Sequence, residues 1–172
     1  MDKKEENLFT PDSIRTFTGQ YVNVINPNPD TINIEDIAHS LANMPRFGGH
    51  LKHFYSVAEH SLLCMDYVAD NLKLQALLHD ASEAYLMDMP KPIKNHLPDY
   101  QIIEYKIQSV INKKFGLPID LDKSIKVVDK KIIEFEWQKL MLDEGKLGDR
   151  TREDVERDFL LAFRMYEIVK KG

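Results

Sequence analysis

The sequence has almost no cysteine, because Cys64 stands alone among 172 residues. A single thiol excludes an intramolecular disulfide framework and a thiolate metal cluster. Long hydrophobic runs are missing too: no stretch approaches the roughly 18 consecutive apolar residues of a membrane-spanning helix. Residues 1–7 are polar and lead into no apolar run typical of a signal peptide. We therefore expect a cytoplasmic protein with a reduced thiol and no membrane partner.

Positive charge is in short supply. Lysine and arginine number 23 against 28 acidic residues, which gives a formal net charge of −5. Proteins that bind duplex nucleic acid without sequence preference usually carry a basic surplus, so we expect no duplex nucleic-acid partner. Residues 38–58 are the local exception, because they contain no acidic side chain and include Arg46, His50, Lys52 and His53. An anionic substrate needs such a cation cluster or a bound metal.

The chain length and the 43% apolar content suit one domain with a sizeable core. The expected single domain has three parts: a flexible start at 1–13, a small β or irregular extension at 14–30, and a helical core at 31–170. Within the extension, residues 16–25 alternate apolar and polar side chains about Gly19, which is typical of a short hairpin.

Apolar periodicity in the rest of the chain predicts an all-α globule of five or six main helices. Periodicity and end signals place them at about 33–44, 56–68, 70–89, 99–115, 122–143 and 151–170. A proline-rich loop is predicted at 89–98. In the last helix, Thr151 and Asp154 form a capping pattern, and its apolar surplus suits a homodimer or higher oligomer contact.

Five ionisable residues lie where the helical pattern predicts burial. His79, Asp80 and Glu83 share the central helix with many apolar residues, and His60 and Asp129 interrupt apolar faces elsewhere. A buried carboxylate without a partner is costly, so these groups need a metal, a charge partner or a hydrogen-bond network. The two histidines and two aspartates form a donor set for one divalent ion, suited to Mn²⁺, Co²⁺, Fe²⁺ or Zn²⁺. Glu83 follows His79 by one helical turn, where its carboxylate could orient a metal-acidified water or take its proton.

The pattern of His60, His79-Asp80 and Asp129 resembles the H…HD…D signature of the HD-domain metal-dependent phosphohydrolases. Residues 58–61 (AEHS) and 79–94 (HDASEAYLMDMPKPIK) are similar to bacterial 5′-deoxynucleotidases and related phage nucleotide hydrolases. The resemblance covers about residues 43–135. It implies a compact HD-domain fold, one divalent ion held by the two histidines and two aspartates, and a nucleotide substrate.

The resemblance also implies roles for side chains outside the metal set. Glu83 matches a residue that assists the nucleophilic water, and Arg46 matches a phosphate-binding arginine. Asp88 matches a residue that contacts the sugar hydroxyl. Phe47 matches an aromatic residue against the sugar or base, although a tryptophan is expected there.

The expected reaction is hydrolysis of a nucleoside 5′-monophosphate, above all a deoxynucleotide, by attack of a metal-activated water on phosphorus. Arg46, supported by His50 or Lys52, would stabilise the developing negative charge. One alternative is a deoxynucleoside triphosphate triphosphohydrolase. A second is a non-catalytic sensor or assembly module with a structural metal. The His79-Asp80 pair taken alone also fits a hydrogen-bonded core pair, and Arg46 taken alone fits a solvated or capping residue.

Overall fold

The computed structural model describes residues 11–171, with side chains described through residue 167. The predicted flexible start at 1–13 therefore lies mostly outside the described residues, although Ser13 already belongs to a strand. The described chain is mostly helical and carries one small two-stranded antiparallel sheet. The coarse all-α prediction with a small N-terminal β element is confirmed.

The sheet is a hairpin of strands β1 (Ser13–Arg15) and β2 (Tyr21–Asn23), with Ile14 opposite Val22. A hairpin turning at Gly19 is present as predicted, but its first strand lies before the predicted range 16–25. Gly19 has φ of +87°, a conformation that glycine adopts without steric cost. The backbone N–H and hydroxyl of Thr18 donate to the Asp36 carboxylate at 2.7 and 2.9 Å. These two bonds fasten the hairpin to the first helix.

Eight α-helices form the described part of the chain after the hairpin, five of them with ten residues or more. They are α1 (Ile34–Asn43), α2 (Val57–Asp66), α3 (Lys73–Leu77), α4 (Glu83–Leu86), α5 (Lys91–Lys94), α6 (Pro98–Lys114), α7 (Lys123–Glu136) and α8 (Arg152–Lys171). Single 3₁₀ turns occur at Pro29–Thr31, Phe47–Gly49 and Asp70–Leu72, and a π-helical segment, Trp137–Leu142, extends α7.

Polar side chains fix where the long helices begin. The Asn33 side chain accepts a hydrogen bond from the backbone N–H two residues later, as predicted for α1. Ser56 and Glu59 form a reciprocal capping box at the start of α2. Thr151 and Asp154 do the same for α8, also as predicted.

The prediction of one continuous central helix is wrong. Helix α3 ends at Leu77, α4 begins at Glu83, and a turn between them carries His79 and Asp80. In this turn backbone N–H groups bond to carbonyls three residues back, as from Glu83 to Asp80 at 3.0 Å. Apolar density alone does not distinguish a buried helix from a buried turn, which explains the error. The predicted loop at 89–98 is likewise interrupted by α5.

Helix α2 lies at the centre of the core, in contact with α1, α3, α7 and α8. Its partners contribute fully buried apolar side chains, among them Ile37, Leu41, Leu77, Ile125 and Phe159. Burial of each such side chain contributes about 1.5–3 kcal/mol. This packing fixes the α2 residue His60, which has no solvent exposure. Among residues 11–171, no helix has the length and apolarity needed to cross a membrane.

Candidate metal centre

The four side chains predicted to hold a metal come together from α2, the α3–α4 turn and α7. His60 Nε2 lies 3.1 Å from Asp129 Oδ1 and 3.7 Å from Asp80 Oδ2. His79 Nε2 lies 3.2 Å from Asp80 Oδ2 and 3.8 Å from Asp129 Oδ1. Metal–ligand bonds of about 2.1 Å place neighbouring donor atoms about 3.0–3.4 Å apart. The distances of 3.1 and 3.2 Å lie in this range and those of 3.7 and 3.8 Å lie slightly above it, so small side-chain shifts would let all four groups surround one ion.

His79 has a buried ligand atom that makes no hydrogen bond among the described residues. Its Nδ1 donates to the Ala76 carbonyl oxygen at 2.6 Å, which turns Nε2 toward the carboxylates of Asp80 and Asp129. That Nε2 is buried and makes no hydrogen bond within the described part of the chain. Buried polar atoms are nearly always satisfied, and a metal ion is what this atom and its neighbours fit.

Glu136, a buried carboxylate that was not predicted from the sequence, orients the other histidine, His60. Glu136 Oε1 accepts from His60 Nδ1 at 2.8 Å and from the Tyr55 hydroxyl at 2.9 Å. Its Oε2 accepts from Arg46 Nη2 at 3.1 Å. Glu136 follows Asp129 by seven residues, two turns along the same face of α7, and that spacing was the available signal. The carboxylate orients His60 so that Nε2 points to the other donors.

Cys64 is a second residue that the sequence reading missed. It follows His60 by one helical turn, and its Sγ lies 3.5 Å from His60 Nε2. The donor atoms of His60, Cys64, His79 and Asp129 all lie within 4.8 Å of one another, so this group could bind a metal ion. A lone cysteine cannot form a thiolate cluster, but it can supply one ligand. Burial, together with the charges of Asp129 and Asp80, raises the pKa of the Cys64 thiol.

The imidazoles and carboxylates of the cluster shift one another's pKa values. Burial lowers the pKa of His79, but Asp80 and Asp129 outweigh it and raise that pKa well above its ordinary value. Burial acts to raise the pKa of Asp80, but His79 and His60 hold it far below the usual range. The pKa of Asp129 is lowered by the same two histidines against the effect of burial. The site is therefore built to hold positive charge among its carboxylates.

Glu83 opens α4 as a buried carboxyl group, and its Oε2 has no hydrogen-bond partner among the described residues. Burial, followed by the charges of Asp80 and Asp88, raises the pKa of Glu83 well above its ordinary value. Burial also raises the pKa of Asp88, while Arg46 opposes it. Carboxyl groups tuned upward in this way are typical of acid–base sites.

Arg46 lies between two acidic residues of the site, Asp88 and Glu136. Its guanidinium is buried, and it lies 3.9 Å from Asp88 Oδ2 as well as 3.1 Å from Glu136 Oε2. Phe47, with φ of +53°, places its ring 5.5 Å from the Arg46 guanidinium. That ring also lies 6.0 Å from the ring of Trp137, which is half-exposed.

The other two predicted substrate-binding residues lie apart. His50 is exposed at the end of the 3₁₀ turn Phe47–Gly49. Lys52 is exposed, pairs with Glu144 and lines a separate surface cavity of about 320 Å³. Within residues 11–167 no hydrogen bond or ion pair joins either side chain to the metal-binding cluster. Their position in the acid-free segment does not determine where their side chains point.

The fold and the site together define a mostly helical protein with a candidate metal centre. No protein-family model matches the chain. The chain is 46% identical over 132 residues to the uncharacterized protein YfdR of Escherichia coli K12, which covers 77% of this chain and 74% of YfdR. It is 38% identical over 122 residues to the uncharacterized protein RCAP_rcc00048 of Rhodobacter capsulatus, which covers 65% of this chain and 62% of that protein. The chain belongs to the family of YfdR.

Proposed function

We propose that the protein is an HD-type metal-dependent phosphohydrolase that converts nucleoside 5′-monophosphates, above all deoxynucleotides, to nucleoside and phosphate. The observation that carries the proposal is the convergence of His60, His79, Asp80 and Asp129, in which the buried His79 Nε2 makes no hydrogen bond within the described residues and lies 3.2 Å from Asp80 Oδ2. These are the residues that match the H…HD…D pattern. Their convergence supports the proposal that the H…HD…D pattern marks a metal site and is not a chance spacing of residues.

The two imidazoles and two carboxylates would hold Mn²⁺, Co²⁺, Fe²⁺ or Zn²⁺, because their nitrogen and oxygen donors suit these ions. When bound, the ion supplies Lewis acidity, which lowers the pKa of water and polarises a phosphoryl oxygen. Through the bond at Nδ1, Glu136 holds the His60 ring so that Nε2 faces the other donors. The Ala76 carbonyl does the same for His79.

Glu83 is the group best suited to move a proton. Its Oε2 has no hydrogen-bond partner among the described residues. The pKa of the Glu83 carboxyl is raised, so it lies closer to neutral pH than the pKa of an exposed glutamate. A general base works best when its pKa lies near the working pH, since it must be deprotonated and still basic. Glu83 would take the proton of the attacking water.

Arg46 would stabilise negative charge on the phosphoryl oxygens. Burial lowers solvent screening, so a guanidinium held in place by Glu136 acts strongly on developing charge. Asp88, on the other side of Arg46, would accept a hydrogen bond from a sugar hydroxyl. Phe47 and its neighbour Trp137 offer aromatic surface to the sugar or base.

A substrate panel tests the proposal directly. The protein is stripped of metal, reloaded with Mn²⁺, Co²⁺ or Mg²⁺, and incubated with ribo- and deoxynucleoside mono-, di- and triphosphates, with products identified. We expect orthophosphate from deoxynucleoside monophosphates and no product from the stripped protein.

Release of tripolyphosphate from triphosphates would instead identify the triphosphohydrolase alternative. Metal binding without turnover of any nucleotide would contradict the enzyme and favour the sensor or assembly module. His60→Ala is the matched negative control, because it removes one metal donor.

A further inference from the structure

Two pairs of consecutive residues face each other at the edge of the site. In the first pair, Arg46 Nη2 lies 3.1 Å from Glu136 Oε2. In the second pair, the rings of the residues that follow them, Phe47 and Trp137, lie 6.0 Å apart. The guanidinium carbon of Arg46 lies 5.5 Å from the centroid of the Phe47 ring. A buried cation and two aromatic rings therefore follow one another in space.

Phe47 is held in a backbone conformation that phenylalanine rarely adopts. Its φ is +53°, in the left-handed region, and Gly48 and Gly49 follow with φ of +61° and +77°. Hydrogen bonds close the turn, from the Gly49 N–H to the Arg46 carbonyl at 3.1 Å and from the His50 N–H to the Phe47 carbonyl at 3.2 Å. Such strain persists where the surroundings hold it, and it is concentrated at ligand sites. Glycine would fit this backbone better, so we infer that the position is occupied for its ring.

Trp137 begins the π-helical segment that extends α7. Within this segment the Asp143 N–H donates to the Gln138 carbonyl, five residues back, at 2.9 Å. Segments of this kind are rare and are frequently found at functional sites. Trp137 is 48% exposed, although the preceding residue, Glu136, is fully buried. Helix α7 thus passes within one residue from the acid that orients His60 to an open aromatic surface.

The order of cation, ring and ring matches the order of phosphate, sugar and base in a nucleoside 5′-monophosphate. A phosphate at Arg46 places the sugar beside Phe47 and the base, which lies beyond the sugar, at Trp137. The two rings are tilted by 55° to each other, so they form a corner and not a closed stack. The half-exposed indole can therefore stack on a third ring.

We infer that Trp137 is the base-binding residue of the site, an inference that rests on the proposed function. Its indole stacks on the face of the nucleobase, while Arg46 holds the phosphate. Stacking accepts every base, because every base has an aromatic face, and its strength sets the preference. The ligand class is a nucleoside 5′-monophosphate with a preference for purines, because a bicyclic base covers more of the indole than a pyrimidine does.

The test measures ligand binding by calorimetry to the Mn²⁺-loaded Glu83→Gln protein, in which hydrolysis is slowed. The ligands are dAMP, dCMP and 2-deoxyribose 5-phosphate, which lacks a base and is measured by its competition with dAMP. In this background, Trp137→Ala should weaken dAMP binding about 10-fold or more, the usual effect of losing one base–aromatic stack. Binding of 2-deoxyribose 5-phosphate should be unchanged. Trp137→Phe should retain most of the dAMP affinity.

The purine preference is tested in the same experiment. We expect dAMP to bind more tightly than dCMP, and Trp137→Ala should reduce the difference. As the only tryptophan of the chain, Trp137 also reports on binding directly. Its fluorescence should change on addition of dAMP and not on addition of 2-deoxyribose 5-phosphate.

Phe135→Ala is the matched control. Phe135 is an aromatic residue of α7 with 47% exposure, almost the same as that of Trp137. It lies two residues earlier, which turns its side chain by about 200° to the far side of the helix. Phe135→Ala should leave the affinity for each ligand unchanged.

An architectural role of Trp137 gives a different result. If its ring only packs on Phe47 and holds the turn that carries Arg46, Trp137→Ala should weaken dAMP and 2-deoxyribose 5-phosphate alike. Such an equal loss overturns the inference, as does unchanged dAMP affinity in Trp137→Ala. Absence of dAMP binding by the Glu83→Gln protein overturns it too. Melting temperatures of all variants show that the fold is intact.

The proposed function fails separately, in the substrate panel. If the wild type hydrolyses no nucleotide but binds dAMP through Trp137, the nucleotidase is refuted and the base site is kept. In an active enzyme, Trp137→Ala should raise KM for purine nucleotides more than it lowers kcat.

Discussion

Glu83 carries a carboxyl group that burial and two neighbouring acids make harder to deprotonate than an exposed glutamate. If this group takes the proton of the attacking water, Glu83→Gln should lower kcat by about 10²–10⁴-fold, the usual contribution of a general base. Metal content should be unchanged, because the two aspartates and two histidines remain. Steady-state kinetics together with metal analysis check both statements.

The raised pKa of Glu83 also predicts how the hydrolysis rate depends on pH. Because the pKa of Glu83 is raised, the wild-type rate should fall as the pH drops through a value above that of an ordinary glutamate. Glu83→Gln should lose this acidic limb, and Glu153→Gln, at the exposed start of α8, should keep it. Full activity of Glu83→Gln would remove Glu83 from the mechanism.

Helix α2 presents His60 and Cys64 one turn apart toward the same cluster. Thiolate is a soft ligand, so Co²⁺ and Zn²⁺ should recruit Cys64, whereas Mn²⁺ should prefer the carboxylates. We expect a thiolate-to-cobalt charge-transfer band in the near ultraviolet for the Co²⁺ protein. Cys64→Ser should abolish the band and weaken Co²⁺ binding about 10-fold or more, while Mn²⁺ binding stays unchanged. A wild-type Co²⁺ spectrum without that band would exclude Cys64 from the metal shell.

Helix periodicity predicted most of the long helices but not the turn between α3 and α4 that carries His79 and Asp80. The long helices and the caps at Asn33 and Thr151 follow from local spacing, which acts over one turn. The break between α3 and α4 depends on i→i−3 hydrogen bonds and on packing around His79, which local spacing does not encode. That turn lets two adjacent residues, His79 and Asp80, reach a common position.

Across the whole molecule, metal binding should add stability, because the cluster exists only when α2, the α3–α4 turn and α7 are assembled. Ligand at 100 times its dissociation constant adds about 2.7 kcal/mol. For a chain of this size that corresponds to roughly 5–10 °C in Tm. Thermal unfolding of stripped and Mn²⁺-loaded protein measures the difference.

The pH dependence of that difference has a definite sign. In the stripped protein, the raised pKa of His79 stabilises the fold at low pH and loses its effect as the pH rises through the folded value. The lowered pKa values of Asp80 and Asp129 stabilise at higher pH and lose their effect as the pH falls. Because metal needs the deprotonated ligands, the Tm increase on adding metal should grow from about pH 6 to pH 8. An increase that shrinks over this range would contradict a histidine–carboxylate site.

The sequence by itself determined the helical class, the hairpin, most helix ends and the set His60, His79, Asp80 and Asp129, because these depend on periodicity and on polar residues within apolar patterns. Tertiary structure alone decided which other groups join them. Glu136 becomes a neighbour of His60 only when α7 packs on α2. Cys64 is close to His60 through the helix alone, and it becomes a candidate ligand only when His79 and Asp129 are brought beside the two residues. Lys52 pairs with Glu144 and Lys94 pairs with Glu104, since the direction of a long side chain is set by partners distant in the chain or on a neighbouring helix.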